Sequence, residues 1–257
     1  MKRLLTMLAV ALLVGCQQSA PQAKYVFYFI GDGMGLAQVA LAEAWLAHTE
    51  DEIGFEKLSF TEFPVLGTAT TFSTYNFITC SSAAGTALAT GHKTVNGMLG
   101  VTPDTLDLEA ITYKIKKAGY RVGITSTVTL DHATPGAFYA NAASRSDYYD
   151  IAVQLPRTGF DFFGGGGFVQ PEGKNKDQVS VLSLIEEGGY QIVYGIDNIE
   201  ASAGAEKMVL LQEKERDCMG ALPYAIDRKE DDMTHAALIT AAIDFLENEK
   251  GFFLMSE

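Results

Sequence analysis

Several polar residues in this sequence stand just beyond strand-like runs. Asp32 follows the apolar run 25–30, Asp131, His132 and Thr134 follow 121–126, and Glu257 follows 251–256. Open α/β sheets bind ligands beyond the carboxyl ends of their strands. If these strands are parallel, two carboxylates and a hydroxyl land on one edge. Hard oxygen donors of this kind suit Mg²⁺. The glycine loop Gly31-Asp32-Gly33-Met34-Gly35 is not G-x-G-x-x-G. Its central Asp would repel a pyrophosphate but suits a cation that backbone can crowd. A plain βα turn with a capping Asp stays open as the other reading.

A second cluster is Thr79-Cys80-Ser81-Ser82-Ala83-Ala84-Gly85-Thr86. Here a serine opens a small-residue helix. A phosphate at such a place would meet free N–H groups and the positive end of the helix dipole. A serine nucleophile would be stabilised there as an oxyanion. The competing reading is a simple N-cap serine. A cysteine phosphatase would need Arg at position 86, which is Thr86, and G-x-S-x-G occurs nowhere. Arg145 could clamp two phosphate oxygens with its fork. On its own, an Arg is far more often a surface residue.

The elements that must position these groups alternate. Tyr25–Ile30 is a continuous apolar run and reads as a strand buried on both faces. A helical stretch follows through Ala40, Ala44 and Trp45. Leu66–Ser73 reads as a strand or hairpin arm. Ser82–Thr90 is a helix stopped by Gly91. Thr105–Ala118 reads as an amphipathic helix and Arg121–Ser126 as the next strand. Phe162–Phe168 reads as a tight loop after a short strand. Val179–Glu187 and Tyr190–Tyr194 repeat the helix–Gly–strand order. Thr234–Glu249 is a helix and Gly251–Ser256 a buried strand. This βαβα order predicts an α/β fold with a mostly parallel sheet covered by helices on both faces. The sequence stops at the end of an apolar strand, so the domain is expected to be incomplete at its C-terminus.

The chain has 257 residues, with 32 Asp and Glu against 19 Lys and Arg, a formal net charge of −13. With 47% hydrophobic residues this is globular composition, not that of a disordered chain. Without clustered Lys and Arg, nucleic acid is not an expected partner. Three cysteines (Cys16, Cys80 and Cys218) are too few for a disulfide scaffold and form no C-x-x-C. Residues 1–15 read as a signal peptide, with Lys2 and Arg3 before an apolar stretch too short to span a bilayer. Leu13-Val14-Gly15-Cys16 is similar to the bacterial lipoprotein signal, which implies cleavage before Cys16 and lipidation there. Residues 16–23 would then be a tether to a domain at 24–257. The protein is expected at the cell envelope, facing the periplasm or the cell surface.

Taken together, these segments resemble alkaline phosphatases. Phe29-Ile30-Gly31-Asp32-Gly33-Met34-Gly35 is similar to the family's first-strand motif, whose Asp binds metal. Ser81-Ser82-Ala83-Ala84-Gly85-Thr86-Ala87-Leu88-Ala89-Thr90-Gly91-His92-Lys93-Thr94 resembles the nucleophile helix, which implies that Ser81 is the phosphorylated serine. Asp131-His132-Ala133-Thr134-Pro135-Gly136 with Ser144-Arg145 resembles the segment that supplies a Mg²⁺ ligand (Thr134) and the phosphate-binding arginine (Arg145). Lys250–Glu257 resembles the strand that ends in the Mg²⁺ glutamate, Glu257. The resemblance implies a three-layer α/β/α sandwich and hydrolysis of phosphate monoesters. It also implies two Zn²⁺, one Mg²⁺ and, commonly in the family, a homodimer.

Three departures bear on function. Cys80 stands where the family usually carries an Asp that helps hold the arginine. His132 reads as a residue behind the metal ligands, or as a packing histidine. None of His48, His92, His132 and His235 has the H-x-x-x-H or D-H pattern of the family's remaining zinc ligands. Little activity is therefore expected from the chain alone. The alternative from another class is a non-catalytic envelope lipoprotein that binds a ligand or partner. A sulfatase is disfavoured, because neither Cys80 nor Ser82 opens a C/S-x-P-x-R motif.

Overall fold

The computed structural model describes residues 23–202, 204–213 and 220–257. The leader, Cys16, the tether up to Gln22 and Cys218 lie outside the described residues. Six strands are present: β1 (Tyr25–Phe29), β2 (Arg121–Thr125), β3 (Phe162–Gly165), β4 (Gln191–Tyr194), β5 (Met208–Leu211) and β6 (Phe252–Ser256). The helices are α1 (Leu36–Thr49), α2 (Ser81–Thr90), α3 (Ile111–Lys117), α4 (Ala133–Gly136), α5 (Tyr148–Ala152), α6 (Val181–Glu187) and α7 (His235–Leu246). All strand pairs are parallel, in the order β1-β6-β2-β3-β5-β4. Parallel neighbours need crossover connections, and most of these carry helices.

The strand residues alternate between two cores. Val122, Ile124, Phe163, Val209, Phe253 and Met255 enter one, with Ala89, Ile185 and the partly buried Ile115 from α2, α6 and α3. Phe162, Met208, Leu210, Phe252 and Leu254 enter the other, against Leu238, Ala242 and Leu246 of α7. This is a three-layer α/β/α sandwich. Glycines let α7 lie close on the sheet. A Cβ at Gly123 would come within 2.5 Å of Leu246 Cδ1, and one at Gly164 within 2.5 Å of Leu238 Cδ1.

The helix read at Ser82–Thr90 is α2, closed by Gly91 at φ +77°. The helix read at Thr234–Glu249 is α7, whose N-cap Thr234 accepts the Ala237 N–H at 3.0 Å. Four sequence expectations are corrected. β1 is an edge strand rather than a doubly buried one, with Phe27 40% and Phe29 59% exposed. Residues 66–73 form no strand, and Leu66 is exposed. The helix expected from Thr105 begins only at Ile111. Thr105 sits at φ +62°, and the Gly100 and Thr102 carbonyls accept the N–H groups of Leu108 and Thr105 in a turn, while Thr102 Oγ1 accepts the Leu106 N–H. Gly164 and Gly165, expected in a loop, belong to β3. Strand β5 was not anticipated, although Met208-Val209-Leu210-Leu211 is a buried apolar run.

Candidate active site

Parallel pairing brings the carboxyl ends of β1, β6 and β2 together, with Phe29 and Thr125 both in register with Ser256. Beyond β1 the chain turns through Gly33, whose φ of +71° suits glycine. This turn presents Asp32. Ser81 opens α2 after an extended Cys80. The Ser81 hydroxyl donates to Asp32 Oδ2 at 2.7 Å. The two residues are 49 positions apart in sequence. A serine hydroxyl thus meets a carboxylate acceptor at the positive end of a ten-residue helix.

Glu257 is fixed on both sides by backbone. Its N–H donates to Thr125 O at 3.1 Å, and its own carbonyl accepts the Thr127 N–H at 3.0 Å. Its Oε2 accepts the Ser126 hydroxyl at 2.7 Å. Burial pushes the carboxyl above its ordinary range, and the Asp32 charge adds to this. Ser126, Thr134 and the charge of Arg145 pull the other way. Glu257 therefore shares one electrostatic environment with Asp32, Thr134 and Arg145.

Thr134 lies in α4 and is buried. Its Oγ1 makes no hydrogen bond of acceptable geometry, yet it is near enough to Glu257 to lower that pKa. A buried hydroxyl without a partner normally costs stability. Beside Glu257, whose carboxyl feels the Asp32 charge, it is what a hard cation would satisfy, so Asp32, Thr134 and Glu257 fit an oxygen-ligated divalent metal. Among the described residues, no three His, Cys, Asp or Glu side chains converge into a further metal cluster.

Arg145 is half-buried. Its Nη2 lies 3.4 Å from His132 Nε2, and its N–H donates to Gly97 O at 2.7 Å. It forms no ion pair among the described residues, so its fork stays available to an anion. Burial, with the Arg145 charge, pushes the His132 pKa down against the pull of Asp32. The neutral ring can then accept from the guanidinium.

Cys80 precedes the serine. Its Sγ accepts the Gly97 N–H at 3.2 Å and lies 3.1 Å from Ser82 Oγ. Burial works against ionisation. The Ser82 hydroxyl and the N–H groups of Ala83, Gly97 and Ser82 nonetheless bring the thiol down to about 7.

Asp131 does not join the group. Its Oδ2 accepts the Val169 N–H at 2.8 Å, and burial raises its pKa to about 6. His235 Nε2 lies 2.8 Å from Ser256 Oγ. His48 and His92 are exposed. The sequence reading missed Ser126, which orients Glu257, and Asn96-Gly97, a dipeptide that signals a turn. A cavity of about 670 Å³ lies at the opposite end of the strands, bounded by Arg121, Met208 and Phe245. It is remote from this chemistry.

The sheet thus carries a serine, an arginine and oxygen donors at its carboxyl edge. Residues 23–162 match the family described as Alkaline phosphatase. The chain is 29% identical over 251 residues to alkaline phosphatase 4 of Bacillus subtilis, covering 94% of this chain and 52% of that protein. It is 28% identical over 284 residues to the human tissue-nonspecific isozyme, covering 91% and 54%. Among solved structures, alkaline phosphatase from the Antarctic bacterium TAB5 superposes with a TM-score of 0.77 at 28% identity, covering 92% and 66%. A His-to-Asp variant of that enzyme has been solved with Mg bound in the M3 site. The Thermus thermophilus enzyme gives a TM-score of 0.79 at 27% identity, covering 93% and 50%. The chain belongs to the alkaline phosphatase family. It spans about half the length of the curated relatives it matches.

Proposed function

We propose that the protein hydrolyses phosphate monoesters through a phosphoserine at Ser81. The observation that carries this reading is the 2.7 Å hydrogen bond from Ser81 to Asp32 at the start of α2. The bond fixes the nucleophile's rotamer and gives its proton an acceptor. Arg145 holds two non-bridging oxygens of the substrate phosphate. Ser81 Oγ attacks phosphorus in line and gives up its proton to solvent, and the ester oxygen takes a proton from solvent and departs as the alcohol. The helix N-terminus stabilises the phosphate now carried on Ser81. Water then attacks the phosphoserine from the side the alcohol left. This restores the Ser81 hydroxyl and releases inorganic phosphate.

Asp32, Thr134 and Glu257 would hold Mg²⁺, and Asp32 would share a Zn²⁺. Bound metals would supply Lewis-acid charge stabilisation and a lower serine pKa. Two Zn²⁺ and one Mg²⁺ are the set proposed. The described residues furnish only part of the ligands, so turnover by this chain alone is expected to be slow. The same proposal places the protein at the cell envelope by a lipid on Cys16, and allows a homodimer. Among the described residues, no helix is long and apolar enough to cross a membrane.

Hydrolysis of p-nitrophenyl phosphate with Zn²⁺ and Mg²⁺ present, compared between the parent chain and Ser81→Ala, tests the activity. Incorporation of labelled palmitate, lost in Cys16→Ser, tests the anchor. Sedimentation velocity reads the oligomeric state.

A further inference from the structure

We propose that Cys80 positions Arg145 through Gly97, and so sets the geometry of the anion site without touching the anion. The inference rests on the phosphate-binding reading of Arg145 given above.

The connection is continuous. Cys80 Sγ accepts the Gly97 N–H at 3.2 Å, and the Gly97 carbonyl accepts the Arg145 N–H at 2.7 Å. Two further bonds clamp the same turn to the start of α2. Asn96 Oδ1 accepts the Cys80 N–H at 3.1 Å, and Asn96 Nδ2 donates to Ile78 O at 2.9 Å. The far side of the turn is pinned where Leu99 and Ala142 exchange N–H···O bonds of 3.0 and 2.8 Å. Residues 96–99 therefore bridge the serine-bearing helix and the arginine-bearing segment.

Only one of these links depends on a replaceable side chain next to the nucleophile, and that side chain is Cys80. Gly97 has φ +94°, a conformation that glycine holds readily and few other residues would. Among the described residues, the Arg145 guanidinium is held by the 3.4 Å contact with His132. A shift of Gly97 would therefore pass directly to the arginine backbone.

The test uses the full chain with Cys80→Ala, Cys80→Ser, Arg145→Ala and the double variant Cys80→Ala/Arg145→Ala. Inorganic phosphate is the probe, titrated calorimetrically with Mg²⁺ and Zn²⁺ present. Amide hydrogen exchange is followed at Gly97 and Arg145. Cys80→Ala is expected to weaken phosphate binding about tenfold, and that loss should vanish when Arg145 is already Ala. Cys80→Ser keeps an acceptor and should recover most of the affinity. Exchange at the Gly97 and Arg145 amides should quicken about tenfold in Cys80→Ala, without a matching change in the middle of α2.

An equal loss in both backgrounds, or unchanged exchange at Arg145, would overturn the proposal. If Arg145→Ala itself left phosphate binding intact, the anion-site reading would fall instead. The exchange data would then still decide whether Cys80 holds Arg145.

Discussion

Ser81 Oγ donates to Asp32 Oδ2 at 2.7 Å, joining the start of α2 to the loop after β1. This bond depends on the parallel sheet, since nothing local brings residues so distant in sequence together. Asp32→Asn removes the charge of the Ser81 hydrogen-bond acceptor, which is also a proposed Mg²⁺ ligand, while keeping the shape. It should lower phosphomonoester turnover by about 10²–10⁴-fold. Steady-state kinetics with p-nitrophenyl phosphate measure the loss, and a change under threefold would show that Asp32 is not the partner of Ser81.

Mg²⁺ should stabilise the chain through Asp32, Thr134 and Glu257. A cation at 100 times its dissociation constant adds about 2.7 kcal/mol, a rise of several degrees in Tm. Glu257→Gln and Thr134→Val should each remove most of that rise. Differential scanning calorimetry with and without Mg²⁺ reads it. An equal rise in both variants would place the cation elsewhere.

Asp131 gives a pH signature. Its carboxyl is raised from an ordinary 3.8 to about 6, chiefly by burial. Between those values the folded chain holds a proton that the unfolded chain has lost. The contribution of Asp131 to stability is therefore greatest below pH 3.8 and falls as the pH rises to about 6. Asp131→Asn cannot titrate, so it should gain on the parent across this window by about 2–3 kcal/mol. Urea unfolding from pH 4 to pH 7 measures the difference, and a flat difference curve would refute the assignment.

Much of the site was legible in the sequence because it is built from strand ends. Asp32, Thr134 and Glu257 could be placed on one edge as soon as three strands were read as parallel. The helix behind Ser81 showed in its small residues and closing glycine. What was not legible depends on neighbours. The apolar run of β1 could not reveal that one of its edges lacks a partner in the described sheet. Gly164 and Gly165 read as a loop because their strand role depends on how closely α7 approaches the first and residues 126–130 approach the second. The contact between Arg145 and His132, and the link from Cys80 through Gly97, arise from loops folding onto α2, which no periodicity encodes.

The exposed rings of β1 and α1 make a further prediction. Phe27, Phe29, Leu41 and Trp45 are 40%, 59%, 72% and 63% exposed, and β1 has a free edge among the described residues. Such an edge templates association. The chain should bind an apolar dye such as anilinonaphthalene sulfonate and self-associate at micromolar concentration. Phe29→Lys should reduce both. Light scattering and dye fluorescence unchanged by that substitution would argue against this face.

The central claim is that Ser81 accepts the phosphoryl group. The most direct measurement is acid quenching of the chain with p-nitrophenyl phosphate, Zn²⁺ and Mg²⁺, followed by peptide mass spectrometry. The account predicts phosphate on the Ser81 peptide, absent in Ser81→Ala and diminished in Arg145→Ala. Turnover that survives Ser81→Ala, or phosphate found only on another residue, would contradict it.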